Sequence, residues 1–412
     1  MIAKITLVAL TIAATANAAS REDKIFLLGN EAGKQTVTIN GADSNAADYS
    51  YSDRGRGEHI VATWKIDAAG VPIDYVGKGN DYMKAPVDET FHFADGKATW
   101  KNRTEQGAQA VHGEAFYVPL NAPPEFLGVL ARALLKAPDH KLPLLPAGEA
   151  RLESAGSVDV VTASGSTSLT QYRIVGLGFS PIPVWLDRDG NTAAEVSSWF
   201  TVVSAELNGK VEPLQAAQDK ADGESSARMA KELTHTPTGA LAIRNSRLFD
   251  PRDLSVTPNS SVLIEGERIV RVATDSDLKI PVGAETIDAH NRFLMPGLWD
   301  NHQHFGDNDG ALDLIAGVTS ARDMANDTDG FLKRVARFDD GTELGPRVLK
   351  AGIIDGVGEF AGPTKMRADT PEEAIKDVDW YADHGYAQIK IYSSIKPELM
   401  PIIAEHAHAR GL

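Results

Sequence analysis

FLMPGLWDNHQHFG, residues 293–306, sets two histidines a single residue apart in a strand-like segment. Within it Asp300, His302 and His304 recur at every second position. Side chains alternate along an extended strand, so these three are expected on one face, with Trp299, Asn301 and Gln303 on the other. A Pro-Gly turn precedes the strand and the loop-like FGDNDG follows it. The histidines therefore fall at the carboxyl end of a strand, where two imidazoles can chelate one divalent ion.

Downstream, strand and helix patterns alternate. GVTSARDM, PRVLKAGIID and AQIKIYSS read as three further strands. Between the last two, TPEEAIKDVDWYADHG carries Thr370 as helix N-cap, Pro371 at the first position, acids in the first turn and Gly385 at the end. KPELMPIIAEHAHARG reads as a helix after the fourth strand. Such alternation predicts a parallel sheet with helices outside it. In this setting Arg322 and Asp323 are expected to pair with each other. His406 and His408, two apart on a helix, diverge and are expected at the surface.

Upstream the texture differs. Residues 239–292 contain short strands separated by turns, and 216–238 is polar and rich in small residues, as in a linker or short helix. From 19 to 215 short strands dominate, interrupted by NAPPEFLGVLARALLKA. There Pro123 and Pro124 suit a helix start, and Phe126, Leu127, Leu130, Leu134 and Leu135 form an apolar stripe expected to cover the sheet of its own domain.

The 412 residues suffice for several domains. A net charge of −16 without clustered Lys and Arg argues against a nucleic-acid partner. Residues 1–18 carry Lys4, an apolar stretch and Ala-Asn-Ala, the pattern of a cleaved secretory signal, and no later segment is long and apolar enough to span a membrane. Export across the inner membrane to the periplasm is expected. The chain has no cysteine, so any metal must be held by nitrogen and oxygen.

PGLWDNHQH resembles the PGLxDxHxH signature of the amidohydrolase superfamily, and GVTSARDM resembles its second-strand pattern. GPRVLKAGIIDG and GYAQIKIYSS follow in the family's order. The resemblance implies a multidomain chain: signal peptide 1–18, N-terminal mainly-β accessory domain 19–215, linker 216–238, small β-sandwich segment 239–292, and the first half of a (β/α)8 TIM barrel over 293–412. It implies that His302 and His304 bind a divalent metal, zinc in the first instance, as one or two ions. It also implies that Lys390, at the end of the fourth strand, takes up carbon dioxide as a carbamate bridging two metals. Alternation along QIKIY puts Ile389 and Ile391 toward the helices and Lys390 toward the barrel interior, and burial favours a neutral, reactive amine.

The implied activity is hydrolysis of a carbon–nitrogen bond, in an amide, peptide or cyclic amide, by metal-activated hydroxide on a small-molecule or peptide-like substrate. A complete barrel takes about 250 residues, and about half of that follows Phe293, so truncation of a longer enzyme and an inactive isolated fragment are expected. Two other readings stand beside this one. One is an exported binding protein with a vestigial half barrel; the other is a deaminase with a single metal and an unmodified Lys390.

Overall fold

The structure is a computed structural model that describes residues 19–40, 44–197, 199–306, 308–362 and 364–412. The secretory signal read at 1–18 lies outside the described residues. The chain divides into two compact units, Met1–Ala221 with Gly358–Pro363, and Asp222–Val357 with Thr364–Leu412.

The first unit is built on a fifteen-stranded sheet. Strands run in chain order from Gln106–Ala110 at one edge back to Ala19–Leu27, which pairs with Phe200–Ser204; the order then descends to Phe116–Tyr117 at the other edge. Neighbours are antiparallel except the last pair. Helix α1, Glu125–Lys136, starts directly after Pro124 and is buried on nearly every side. Phe126 meets Trp64 edge-on at 5.7 Å and Tyr75 at 5.1 Å. On another side Gly128 lies so close to Thr192 that a Cβ would occupy the space of its hydroxyl. The expected stripe is thus part of a wider apolar surface: small Gly128, Ala131 and Ala133 let the sheet approach where the stripe does not reach.

The polar stretch read as a linker or short helix is mostly a 22-residue helix, α2, Glu212–Leu233. Its Ala, Gln, Lys, Glu and Arg residues are strong helix formers, and that propensity prevails over the linker-like composition.

In the second unit, residues 241–294 form one five-stranded sheet. Leu241–Asp250 lies inside it, antiparallel to Ser255–Glu265 and parallel to Glu285–Asp288 and Phe293–Leu294. Leu278 and Ile280, from a loop, cover Ala242 and Leu263. One boundary differs from the expected one. Phe293 and Leu294 pair with Arg247 and Leu248, so they belong to this sheet and the parallel sheet begins at Leu298.

Four parallel strands follow: Leu298–Gln303, Val318–Asp323, Arg347–Ile354 and Gln388–Ile391. They are hydrogen-bonded in chain order, without the reversal of a doubly wound sheet. Helices α3 (Asp309–Ala316), α4 (Gly330–Asp340) and α5 (Pro371–Asp383) connect them, and α6 (Leu399–Ala409) follows. Sequential parallel strands with intervening helices are the repeating unit of a β/α barrel.

Helix α5 begins as read. Thr370 Oγ1 accepts the Glu373 N–H at 3.3 Å, and Glu373 Oε2 accepts the Thr370 N–H at 3.1 Å, a reciprocal cap. Gly385 takes the left-handed conformation just after it, with φ +69°. Ile354, Ile389 and Ile391 pack against α5 and α6, while Phe331 and Val335 of α4 cover Phe305 and Ala321. These contacts define one helix-covered face of the sheet.

Candidate metal centre on the first parallel strand

Residues in register across parallel strands share a face, so the pairing assigns each side chain. Asp300 pairs with Ala321 and Gln303 with Asp323, which takes three steps on one strand and two on its neighbour. The extra residue is a bulge at 301–302, and a bulge interrupts strict alternation. Asp300 therefore lies with the fully buried Ala321 on the helix-covered face, not beside the histidines as alternation alone predicts. Its Oδ1 accepts the backbone N–H of His302 at 2.9 Å, a structural bond that steadies the bulge. Gln303 faces Asp313 of α3, whose carboxyl is pushed up by burial, with the Gln303 amide opposing this and the nearby Asp300 charge adding to it.

His302 lies opposite Gln303 and points to the open face, as does His304. Their ring centroids are 5.2 Å apart, inclined at 70°, and both side chains are exposed. His304 Nδ1 lies 2.7 Å from the carbonyl oxygen of Ala325. A carbonyl can only accept, so Nδ1 carries the proton and the Nε2 lone pair is left for a ligand.

The open face continues along the sheet. Arg322 is in register with Leu349, Ala351 with Gln388 and Ile353 with Lys390. Arg322 lies flat across it: Nε donates to Asn301 O at 2.9 Å, the carbonyl freed by the bulge, and Nη1 reaches Gln388 Oε1 at 3.5 Å. Half-buried Lys390 projects from the same face, its Nζ 5.2 Å from the Tyr392 ring centre, while Ile389 and Ile391 face the helices.

The structure brings His302 and His304 together but leaves Lys390 three strands away, about 14 Å along the sheet at ordinary strand spacing. Among the described residues no group of three His, Asp or Glu side chains converges with metal-binding geometry. The donor set fits two ligands of an ion: two imidazoles from one strand end, one with its tautomer set by a carbonyl.

Two expectations about neighbouring residues are corrected. Arg322 and Asp323 do not pair, because adjacent strand residues face opposite ways; Asp323 is fully buried and bonds to backbone N–H groups of Phe305 and Ala325. Burial pushes its carboxyl up, against hydrogen bonds from Asn326, Phe305 and Ala325 and the nearby His304. His406 is not a free surface residue: its Nε2 lies 2.8 Å from Asp379 Oδ1, tying α6 to α5, and Arg410 joins the same carboxylate. His408 is exposed, as expected.

No protein-family model matches the chain. An imidazolonepropionase of Anaeromyxobacter dehalogenans is 37% identical over 75 residues, 16% of this chain and 18% of that protein. The ochratoxinase of Aspergillus niger is 28% identical over 146 residues, 29% of this chain and 30% of that one. The solved Aspergillus niger ochratoxinase aligns over 42% of this chain and 53% of its own at 22% identity, with a TM-score of 0.33, too low to bear on the fold. An adenine deaminase of Rhizobium meliloti is a further relative, and the sequence matches to these proteins support the amidohydrolase superfamily. The chain spans between 11% and 30% of the length of these curated relatives.

The clamp around His304 is what sequence reasoning missed. Asp323, Ala325 and Asn326 belong to a short segment, and nothing in their spacing signals that their polar groups turn toward the neighbouring strand.

Proposed function

We propose that the protein hydrolyses a carbon–nitrogen bond in an amide, peptide or cyclic amide, acting on a small-molecule or peptide-like substrate, with a divalent metal held at His302 and His304. The observation that carries this reading is the pair of imidazoles 5.2 Å apart at one strand end, with the His304 proton committed to Ala325 O. Zinc suits the all-nitrogen pair in a chain without cysteine. Such an ion supplies an acidified water and a Lewis acid for the scissile carbonyl.

The chain's own residues do the positioning. The bulge at 301–302 turns His302 to the open face, and Arg322 satisfies the bulge carbonyl so that this turn is kept. Trp299 is in register with Ser320 on that face and is 55% exposed, offering an apolar wall to a substrate. Lys390 is the residue that would carry a carbamate and extend the ligand set to a second ion. The reading includes export to the periplasm, supported by the composition of residues 1–18.

Metal analysis after dialysis against zinc tests it. The unsubstituted chain is expected to retain zinc, and His302→Ala or His304→Ala to lose it. Equal retention in all three proteins would remove the basis of the proposal.

A further inference from the structure

We propose that Asp323 is the positioning residue of the candidate metal centre: its carboxylate sets the tautomer and direction of the His304 imidazole. This rests on reading His302 and His304 as metal ligands. Asp323 ends the second parallel strand, in register with Gln303, and is fully buried. Its Oδ2 accepts the Phe305 N–H at 2.9 Å and Asn326 Nδ2 at 2.9 Å. Oδ1 accepts the Ala325 N–H at 3.1 Å. Asn326 Nδ2 also donates to Phe305 O at 3.0 Å, and the Met324 N–H donates to Gln303 O at 2.9 Å.

One carboxylate thus ties the backbone on both sides of the imidazole. Phe305 is the residue after His304, and Ala325 supplies the carbonyl that receives the His304 proton. With both anchors held, the Nδ1–H tautomer is favoured and Nε2 keeps its lone pair for the ion. Only a carboxylate meets this demand. Three N–H donors converge on two oxygens, and the amide of an asparagine would turn its own N–H groups toward at least one of them. That mismatch would release the Phe305 or the Ala325 peptide, and with it the orientation of His304.

The variant is Asp323→Asn in the full chain, read by ring-nitrogen NMR of His304 without metal and by zinc affinity in competition with a chromophoric chelator. Unsubstituted protein is expected to show one Nδ1–H tautomer. Folded D323N is expected to show a tautomer mixture and zinc binding weaker by about 10–100-fold. An unchanged His304 tautomer with unchanged zinc affinity in folded D323N would overturn the inference. If D323N does not fold, D323E decides, since it keeps the charge but moves both oxygens away from the Phe305 and Ala325 N–H groups. A tautomer mixture in D323E supports the clamp, and an unchanged Nδ1–H signal overturns it. Failure here is distinct from failure of the metal reading, which would show as unaltered zinc binding in H302A.

Discussion

Replacing Asp377 with asparagine should make the protein more stable at neutral pH and leave it unchanged in acid. Asp377 lies on the buried face of α5 with Ala374, Val378 and Tyr381, is 9% exposed, and its Oδ2 is buried without a hydrogen-bond partner among the described residues. Burial pushes its carboxyl from the ordinary 3.8 up to about 6; Lys376 opposes this and Glu373 adds to it. Because the folded state holds the proton more tightly than the unfolded one, the stabilising contribution is complete below pH 3.8 and is lost as pH rises through about 6. Above that, the ionised carboxylate costs at most about 3 kcal/mol, from a difference of about two pH units at about 1.4 kcal/mol each. Asparagine keeps the shape of the neutral acid and cannot ionise. Urea unfolding of both proteins should therefore give a gain of about 1–3 kcal/mol for D377N near pH 7.5, shrinking toward zero near pH 4. A difference of the same size at both pH values, or none at neutral pH, would refute the reasoning.

Two further outcomes follow from the packing. A Cβ at Gly352 would land on the ring of Tyr381, which is 1% exposed and whose hydroxyl donates to Ile353 O at 2.8 Å, so the ring cannot retreat. Gly352→Ala should cost about 1–3 kcal/mol, seen as a lowered melting temperature, and an unchanged one would contradict this packing. In the first unit, Glu125 is 1% exposed and binds Arg21 at 2.6 Å and Arg132 at 2.5 Å. Burial alone would raise its pKa, but Arg132 and Arg21 outweigh that and hold it below the ordinary value. Its contribution is thus present above that ordinary value and lost as pH falls through the depressed one. Glu125→Gln should cost about 3–5 kcal/mol in denaturant unfolding near neutral pH, because Arg132 loses its counter-charge and Arg21 keeps only Asp23; a loss below about 1 kcal/mol would contradict it.

Much of the second unit is legible from local pattern. The Thr370 cap, the left-handed Gly385 and the apolar spacing of α5 are set within a few residues of one another, so the chain specifies them without knowledge of the fold. The same holds for Ile389 and Ile391 flanking Lys390 with opposite facing. The polar helix α2 shows the limit of composition, since a linker and a solvated helix use similar residues and only their propensities differ.

Local pattern is enough to bring together His302 and His304, two apart on an extended segment, and to alternate strands and helices after them. Tertiary structure decided what stands around that pair. Register against the second strand introduced the bulge that sends Asp300 to the helix-covered face, and it carried Asp323 to the backbone of Phe305 instead of to Arg322. It also buried Asp377 and joined Ala19–Leu27 to Phe200–Ser204 across most of the first unit. The physical reason is range. Periodicity and capping are satisfied by neighbours along the chain, whereas strand register, burial and the partners of a buried carboxylate depend on residues that only folding brings close.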